Sequence, residues 1–245
     1  NLSHFNTENV ENMNGMFYLS GVETLDISNF DTRKVTDMAG MFKGNKNLET
    51  LDISSFDTKE MTRTTNANGK ITTGMDEIFC NTSQLKSIQI GENFVIPEGS
   101  EKVFDNCNSL TAVITTSKTP VANQFKNELP SYTKLYVPND CEDAYKEILS
   151  GDTDASKIKP ILEVKGERDI KIAEGEDFID EGYTVAGFEK SDSKYYECYG
   201  YDLDTTSDLD ASAPGKYTID YTLKRTYKTD GQASQEETAQ ETLKF

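Results

Sequence analysis

The side chains that ordinarily do chemistry are few in this sequence, and their spacing does not assemble them. The 245 residues contain one histidine, His4. Nucleophilic catalysis needs a base beside the nucleophile, and that base is usually histidine. His4 occupies a position that reads Asn29 and Ser55 in the later copies of the same pattern, so it is not expected to be catalytic. Paired carboxylates could cleave glycosidic bonds if they flanked a cleft. Asp26 and Asp52 instead fall one repeat apart at equivalent positions, which makes them rungs of a ladder. Cys80, Cys107, Cys141 and Cys198 show no C-x-x-C spacing, so no zinc site is expected. Asp202, Asp204, Asp208 and Asp210 in YDLDTTSDLD are hard oxygen donors, but they lack the spacing and glycine of a calcium loop and read as a solvated acidic loop. Gly40, Gly44 and Gly74 are isolated, so no phosphate-cradling loop is expected either. The expectation is a protein with no catalytic, cofactor-binding or metal site.

What would position a functional surface is a repeat. LDISNFDTRKVTDMAGMF at 25–42 is followed by a second version beginning LDISSFDTKEM and preceded by LSHFNTENVENMNGMF. Phe5, Phe30 and Phe56 correspond, as do Leu2, Ile27 and Ile53, then Val10, Val35 and Met61. Self-similarity at this period marks stacked units. Leu25 and Ile27 alternate with Thr24, Asp26 and Ser28, the pattern of a strand with one buried face. Asp31 and Thr32 suit side-chain-to-backbone hydrogen bonds in a turn. Val35, Met38, Met41 and Phe42 recur at helical spacing, which predicts a short helix over 34–43 ended by Gly44. One copy has too little apolar surface to offset its chain entropy, so the copies are expected to stack, with the methionines as core. The outward column of the strands is then Thr24, Asp26, Ser28, Thr50, Asp52, Ser54, Ser87 and Gln89, a candidate binding face.

The motif at 25–42 resembles the leucine-rich repeats of BspA-like bacterial surface proteins, built around LDLSxFDTSxVTDMSxMF. The stretch IQIGENFVIPEGSEKVFDNCNSLTAVI resembles the other repeat style of that family, and residues 119–149 resemble its closing segment. The resemblance implies a leucine-rich-repeat solenoid of short strands and short helices. It also implies a bacterial, secreted or surface-displayed protein, engaged in adhesion or host contact.

Lys and Arg number 25 against 43 Asp and Glu, a formal charge of −18. Such a surface repels phosphate backbones and anionic lipid heads, so neither nucleic acid nor a membrane surface is an expected partner. No apolar run is long enough for a spanning helix, and no signal peptide is seen. The start within a repeat reads as a cut end, with targeting segments and further repeats lying outside this stretch. Between Met61 and Met75, copy three carries an insertion that reads as a loop or a small hairpin around Asn68-Gly69. Cys80 and Cys107 follow Phe79 and Phe104 in neighbouring turns, and could either bond or remain buried thiols. Asp140 is placed to cap a helix whose inward stripe is Ala144, Tyr145, Ile148 and Leu149.

SGDTDASK at 150–157 reads as a linker, dividing a repeat domain at 1–157 from a second domain at 158–245. Alternation at 170–172, 183–185, 216–223 and 241–245, with turns at Glu174-Gly175 and Pro214-Gly215, predicts a small β-sandwich. Tyr195, Tyr199 and Tyr201 suit one strand face, or with Tyr196 a recognition patch. IKIAEGEDFIDEGYTV and APGKYTIDYTL resemble bacterial immunoglobulin-like modules, which implies a spacer or a binding unit. Two functions remain open: adhesion through the repeat face to a host or neighbouring-cell protein or glycan, or a passive stalk for another part of a longer surface protein. Alanine replacement of the outward column separates them.

Overall fold

A computed structural model describes the chain except for residues 1, 3, 60, 62–63, 66–70, 123, 126–127, 152, 174–177, 211, 214, 228–234 and 245. It divides into two compact units, Asn1–Lys159 and Pro160–Phe245. The described chain is mostly β and turn, with two short helices.

The helix expected over 34–43 does not form, and the glycines explain why. Gly40 and Gly44 flank Phe42 at two residues on either side, and both are left-handed, with φ of +61° and +76°. An α-helix turns every N–H onto its own carbonyls. Here alternate groups do so: Met41 N donates to Met38 O and Lys43 N to Gly40 O. The others reach the next copy, where Met38, Gly40, Phe42 and Gly44 N–H donate to the carbonyls of Gly74, Asp76, Ile78 and Cys80 at 2.7–2.9 Å. Copy one repeats the pattern toward copy two, with Met13, Gly15, Phe17 and Leu19 donating to Asp37, Ala39, Met41 and Lys43. Copy three continues it, from Glu77, Phe79 and Asn81 to Glu101, Val103 and Asp105. The left-handed positions persist even where glycine is absent: Glu77, Lys102, Leu19, Asn81 and Asn106 all have φ between +52° and +62°.

The strands are likewise shorter than the alternation suggests. Residues 25–27 are irregular, and regular pairing starts at β1 (Thr50–Ile53). The insertion forms a two-strand pair, β2 (Thr64–Thr65) antiparallel to β3 (Ile71–Thr72); the Asn68-Gly69 turn lies outside the described residues. β1 then pairs in parallel with β4 (Ser87–Ile90), β4 with β5 (Ala112–Thr115), and β5 with β6 (Lys134–Val137). The register is one repeat per strand, Leu51↔Ile88↔Val113↔Leu135. β7 (Ile158–Pro160) completes the five-stranded sheet beyond β6.

Behind the strands lies one core. Phe17, Phe42, Phe79 and Phe104 form a column with centroids 5.8, 5.7 and 5.2 Å apart and planes within 12° of parallel, the offset stacking that aromatic quadrupoles favour. Phe30 and Phe56 are buried beside it, at 6.2 Å from Phe17 and 6.4 Å from Phe42. Phe5, their counterpart in copy one, is 54% exposed. Threonine locks the turns to each other. Thr7 Oγ1 donates to Asp31 O and accepts from Asp31 N; Thr32 does the same with Asp57, and Thr58 with Val95, at 2.7–3.0 Å. All three threonines are buried. A second buried row sits three residues after Phe42, Phe79 and Phe104. Asn45 Nδ2 donates to Phe17 O, Thr82 Oγ1 to Phe42 O and Cys107 Sγ to Phe79 O.

The closing helix α1 spans Glu142–Ile148, with Cys141 at its N-cap and no side-chain cap. Asp140 does not cap it as expected; it lies one residue earlier, in a left-handed turn at φ +67°. Tyr145 and Leu149 are buried, and Tyr145 Oη donates to Ser117 O at 2.7 Å. Ile148 and Ala144 face outward, so the inward stripe is narrower than predicted.

The second unit has two small antiparallel sheets. β8 (Leu162–Val164) pairs with β9 (Tyr183–Val185). After α2 (Lys194–Glu197), β10 (Tyr201–Ser207), β11 (Thr218–Tyr227) and β12 (Gln235–Lys244) make the other sheet. The strand expected at 170–172 is irregular, and the turns at Glu174-Gly175 and Pro214-Gly215 include residues outside those described. Tyr195, Tyr196, Tyr199, Tyr201 and Tyr221 are buried with Val164, Val185, Ile219 and Leu223. Tyr195 and Tyr196 lie on α2, so the tyrosine cluster is a core supplied partly by a helical turn rather than one strand face.

Replacing Thr32 by valine keeps the shape but leaves Asp57 N–H and C=O unpartnered. The expected cost is about 1–3 kcal/mol of unfolding free energy in denaturant titration, since an orphaned buried group loses its full solvation. Thr32→Ser retains both bonds and is expected to cost about 1 kcal/mol or less. A larger cost for Thr32→Ser than for Thr32→Val would show that the methyl, not the hydroxyl, holds the copies together.

Candidate binding face

The outward column was expected to run evenly along the sheet, but the structure grades it. Thr24, Asp26 and Ser28 are exposed, and Thr50, Asp52 and Ser54 are half-buried. Ser87 and Gln89 are fully buried, which corrects their reading as part of an open face. The chain itself gives the reason. In the same register the column continues as Ala112 and Ile114, both buried, so β4 and β5 bury both faces, as parallel sheets do; on β6 Tyr136 is buried and Lys134 is exposed. Gln89 is the transition, its Nε2 donating to Asp52 Oδ2 at 2.8 Å from inside.

The carboxylates of the open part are held by their own turns. Asp26 Oδ1 accepts from Ser28 N and from Ser28 Oγ, at 3.2 and 2.8 Å. Asp52 Oδ1 accepts from Ser54 N at 2.8 Å. The same Asx turn recurs at Asp31 with Arg33, Asp37 with Ala39, and Asp57 with Lys59. Asp31 also holds the Arg33 guanidinium, and that hydrogen bond keeps its carboxyl below the usual carboxylate range. Asp26 and Asp52 thus serve local backbone first and leave their second oxygens outward or to Gln89.

The cysteines stay unbonded. Cys80 directly follows its phenylalanine, whereas Cys107 stands three residues after, in the slot of Asn45 and Thr82. Cys107 Sγ donates to Phe79 O at 3.0 Å, and burial pushes its thiol up to about 12. Burial also raises Cys80 and Cys141, while Cys198 is exposed. His4 is exposed. Among the described residues no three His, Cys, Asp or Glu side chains are grouped to hold a metal. Asp202 and Asp204 lie along β10, Asp208 Oδ1 accepts from Thr218 N, and Asp210 Oδ1 accepts from Ser212 N and Oγ.

Two arrangements were not foreseen in the sequence: the left-handed rows and the donor row of Asn45, Thr82 and Cys107. The signal was the spacing of Gly15, Gly40 and Gly44 at two residues from a phenylalanine; Gly40 and Gly44 read only as isolated glycines, with Gly44 ending a helix.

Comparison with known proteins places these features. Residues 1–116 match a family described as Mycoplasma protein of unknown function, DUF285, and residues 162–236 match a family described as Bacterial surface protein, Ig-like domain. No curated protein and no solved structure matches. The two family matches support a bacterial surface protein that carries an immunoglobulin-like domain. Among the described residues no helix is long and apolar enough to cross a membrane.

The Cys107 thiol gives a pH test. Its folded value lies above its unfolded one, about 8.5, so folding keeps a proton that the unfolded chain releases. Stability is therefore expected to fall as pH rises from about 8.5 toward 12. Cys107→Thr, which keeps a donor to Phe79 O, is expected to lose that part of the slope. Denaturant melts of both proteins across this range check it; identical slopes would assign the alkaline loss to other groups.

Proposed function

We propose that this chain is a non-catalytic bacterial surface protein that adheres to a host or neighbouring-cell protein or glycan through its repeat face. In this reading the first unit is a leucine-rich-repeat solenoid with a closing helix, and the immunoglobulin-like domain displays it. The observation that carries the proposal is the open part of the column, Thr24, Asp26 and Ser28 beside Thr50, Asp52 and Ser54. These polar groups recur at one-repeat intervals, and their carboxylates are already fixed by Asx turns. A partner would pay little entropy to order them. The acidic surface favours partners that offer cationic or amide donors and disfavours polyphosphate.

A stalk is the rival reading, and the burial of Ser87 and Gln89 favours it by shortening the usable face. Asp26→Asn and Asp52→Asn keep the turn acceptors and remove the charges. Beads coated with the double variant are expected to adhere to host matrix proteins or glycans about tenfold less than wild type, a change of about 1.4 kcal/mol. Adhesion that is unchanged in this variant and in one with Thr24, Ser28, Thr50 and Ser54 replaced by alanine would leave the stalk standing.

A further inference from the structure

The repeats also present a groove that shares no residue with the strand column. It encloses about 380 Å³ and runs across four copies. Its floor is the second left-handed row, two residues after each phenylalanine: Leu19, Gly44, Asn81 and Asn106, with φ from +52° to +76°. Left-handed backbone at each rung turns these side chains out of the stack instead of into it. The row four residues after each phenylalanine, including Lys46 and Asn108, forms the facing wall. Adjacent rungs in a parallel arrangement lie about 4.8 Å apart, so the groove offers equivalent positions at a spacing comparable to one pyranose ring in an extended chain.

The lining chemistry is unlike the rest of the surface. In a chain of net charge −18, no carboxylate lines this groove, and the lining Lys43 is already neutralised by Glu77 Oε2 at 2.7 Å. Asn106 Nδ2 donates to Asn81 Oδ1 at 2.8 Å, which leaves one amide N–H₂ and one amide carbonyl turned outward from the pair. That combination of adjacent donor and acceptor matches vicinal hydroxyls. Lys46 is exposed and makes no ion pair among the described residues. At the end of the groove, Tyr18 is 52% exposed and Leu19 is 58% exposed, an apolar platform of the kind on which the C–H face of a sugar ring stacks. The size lies within the range of small-ligand clefts, about 300–1,000 Å³.

We infer that this groove binds a neutral oligosaccharide, with a ring on Tyr18 and hydroxyls bridged by the Asn81–Asn106 amide pair. The inference goes beyond the strand-face reading and does not depend on it.

Titration with cellohexaose, laminarihexaose and chitohexaose, followed by calorimetry and by amide chemical shifts, tests it on the full chain. At least one of these is expected to bind, with shifts at Tyr18, Asn81 and Asn106. Tyr18→Ala, and separately Asn81→Gly with Asn106→Gly, are expected to weaken binding about tenfold or more. Glycine is chosen because it adopts the left-handed conformation without cost, as Gly44 does in the same row, so thermal unfolding should stay near wild type. Asp26→Asn with Asp52→Asn should leave this affinity unchanged, which separates the groove from the strand column. No binding at millimolar concentration, or equal binding by the variants, would overturn the inference. So would binding restricted to a hyaluronate hexasaccharide and abolished by salt, because that would make Lys46 an anion site.

Discussion

A chain that is mostly turn must find partners for its buried backbone groups outside its own local structure. In the first unit the partner is the next copy. Alternate N–H groups from Met13 to Leu19 reach the carbonyls from Asp37 to Lys43, and the same step repeats twice more along the chain. Left-handed residues four apart, such as Gly40 and Gly44, break the helix that the segment would otherwise form, and alternate N–H groups then meet the neighbour instead of their own segment. The phenylalanine column, the threonine locks and the row of Asn45, Thr82 and Cys107 all sit at the fixed offsets that this ladder imposes.

This dependence explains which side-chain changes the repeat accepts. The three residues of the donor row differ in size and chemistry, yet each delivers one hydrogen to a phenylalanine carbonyl. A thiol is the weakest of these donors, and its burial at Cys107 is fully accounted for by the slot it fills. The threonine position shows the opposite behaviour in Thr7, Thr32 and Thr58. One hydroxyl there must both donate and accept, and a buried β-branched side chain keeps it aimed.

The repeat period and most of the inward residues were legible in the sequence, though Phe5 and Ile148 are exposed. Phe30, Phe56, Val35 and Met38 are all buried as their periodicity indicates. The helix over 34–43 was misread because apolar residues in consecutive turns recur at nearly helical spacing, and only the φ demand at Gly40 and Gly44 distinguishes the two. Even that signal fades where Glu77 and Lys102 occupy the left-handed positions. The outward column was legible where neighbours were polar, at Thr24 to Ser54. It failed at Ser87 and Gln89, since burial of a polar strand residue depends on what lies in register with it: Ala112 and Ile114 one strand further on.

The same logic separates where this surface can vary from where it cannot. Residues whose backbone is held by the ladder but whose side chains point away carry no structural duty, so their chemistry is free to serve recognition. Asn81 and Asn106 show this: their φ is fixed by the stack, while their amides pair with each other at the surface. Asp26 and Asp52 are less free, because each carboxylate closes a turn. A repeat of this kind therefore offers two kinds of polar row, one whose charges are tied to its own backbone and one whose side chains are positioned by the backbone and owe it nothing. Binding energy is most readily altered in the second kind without disturbing the fold, since a substitution there need satisfy only one backbone angle.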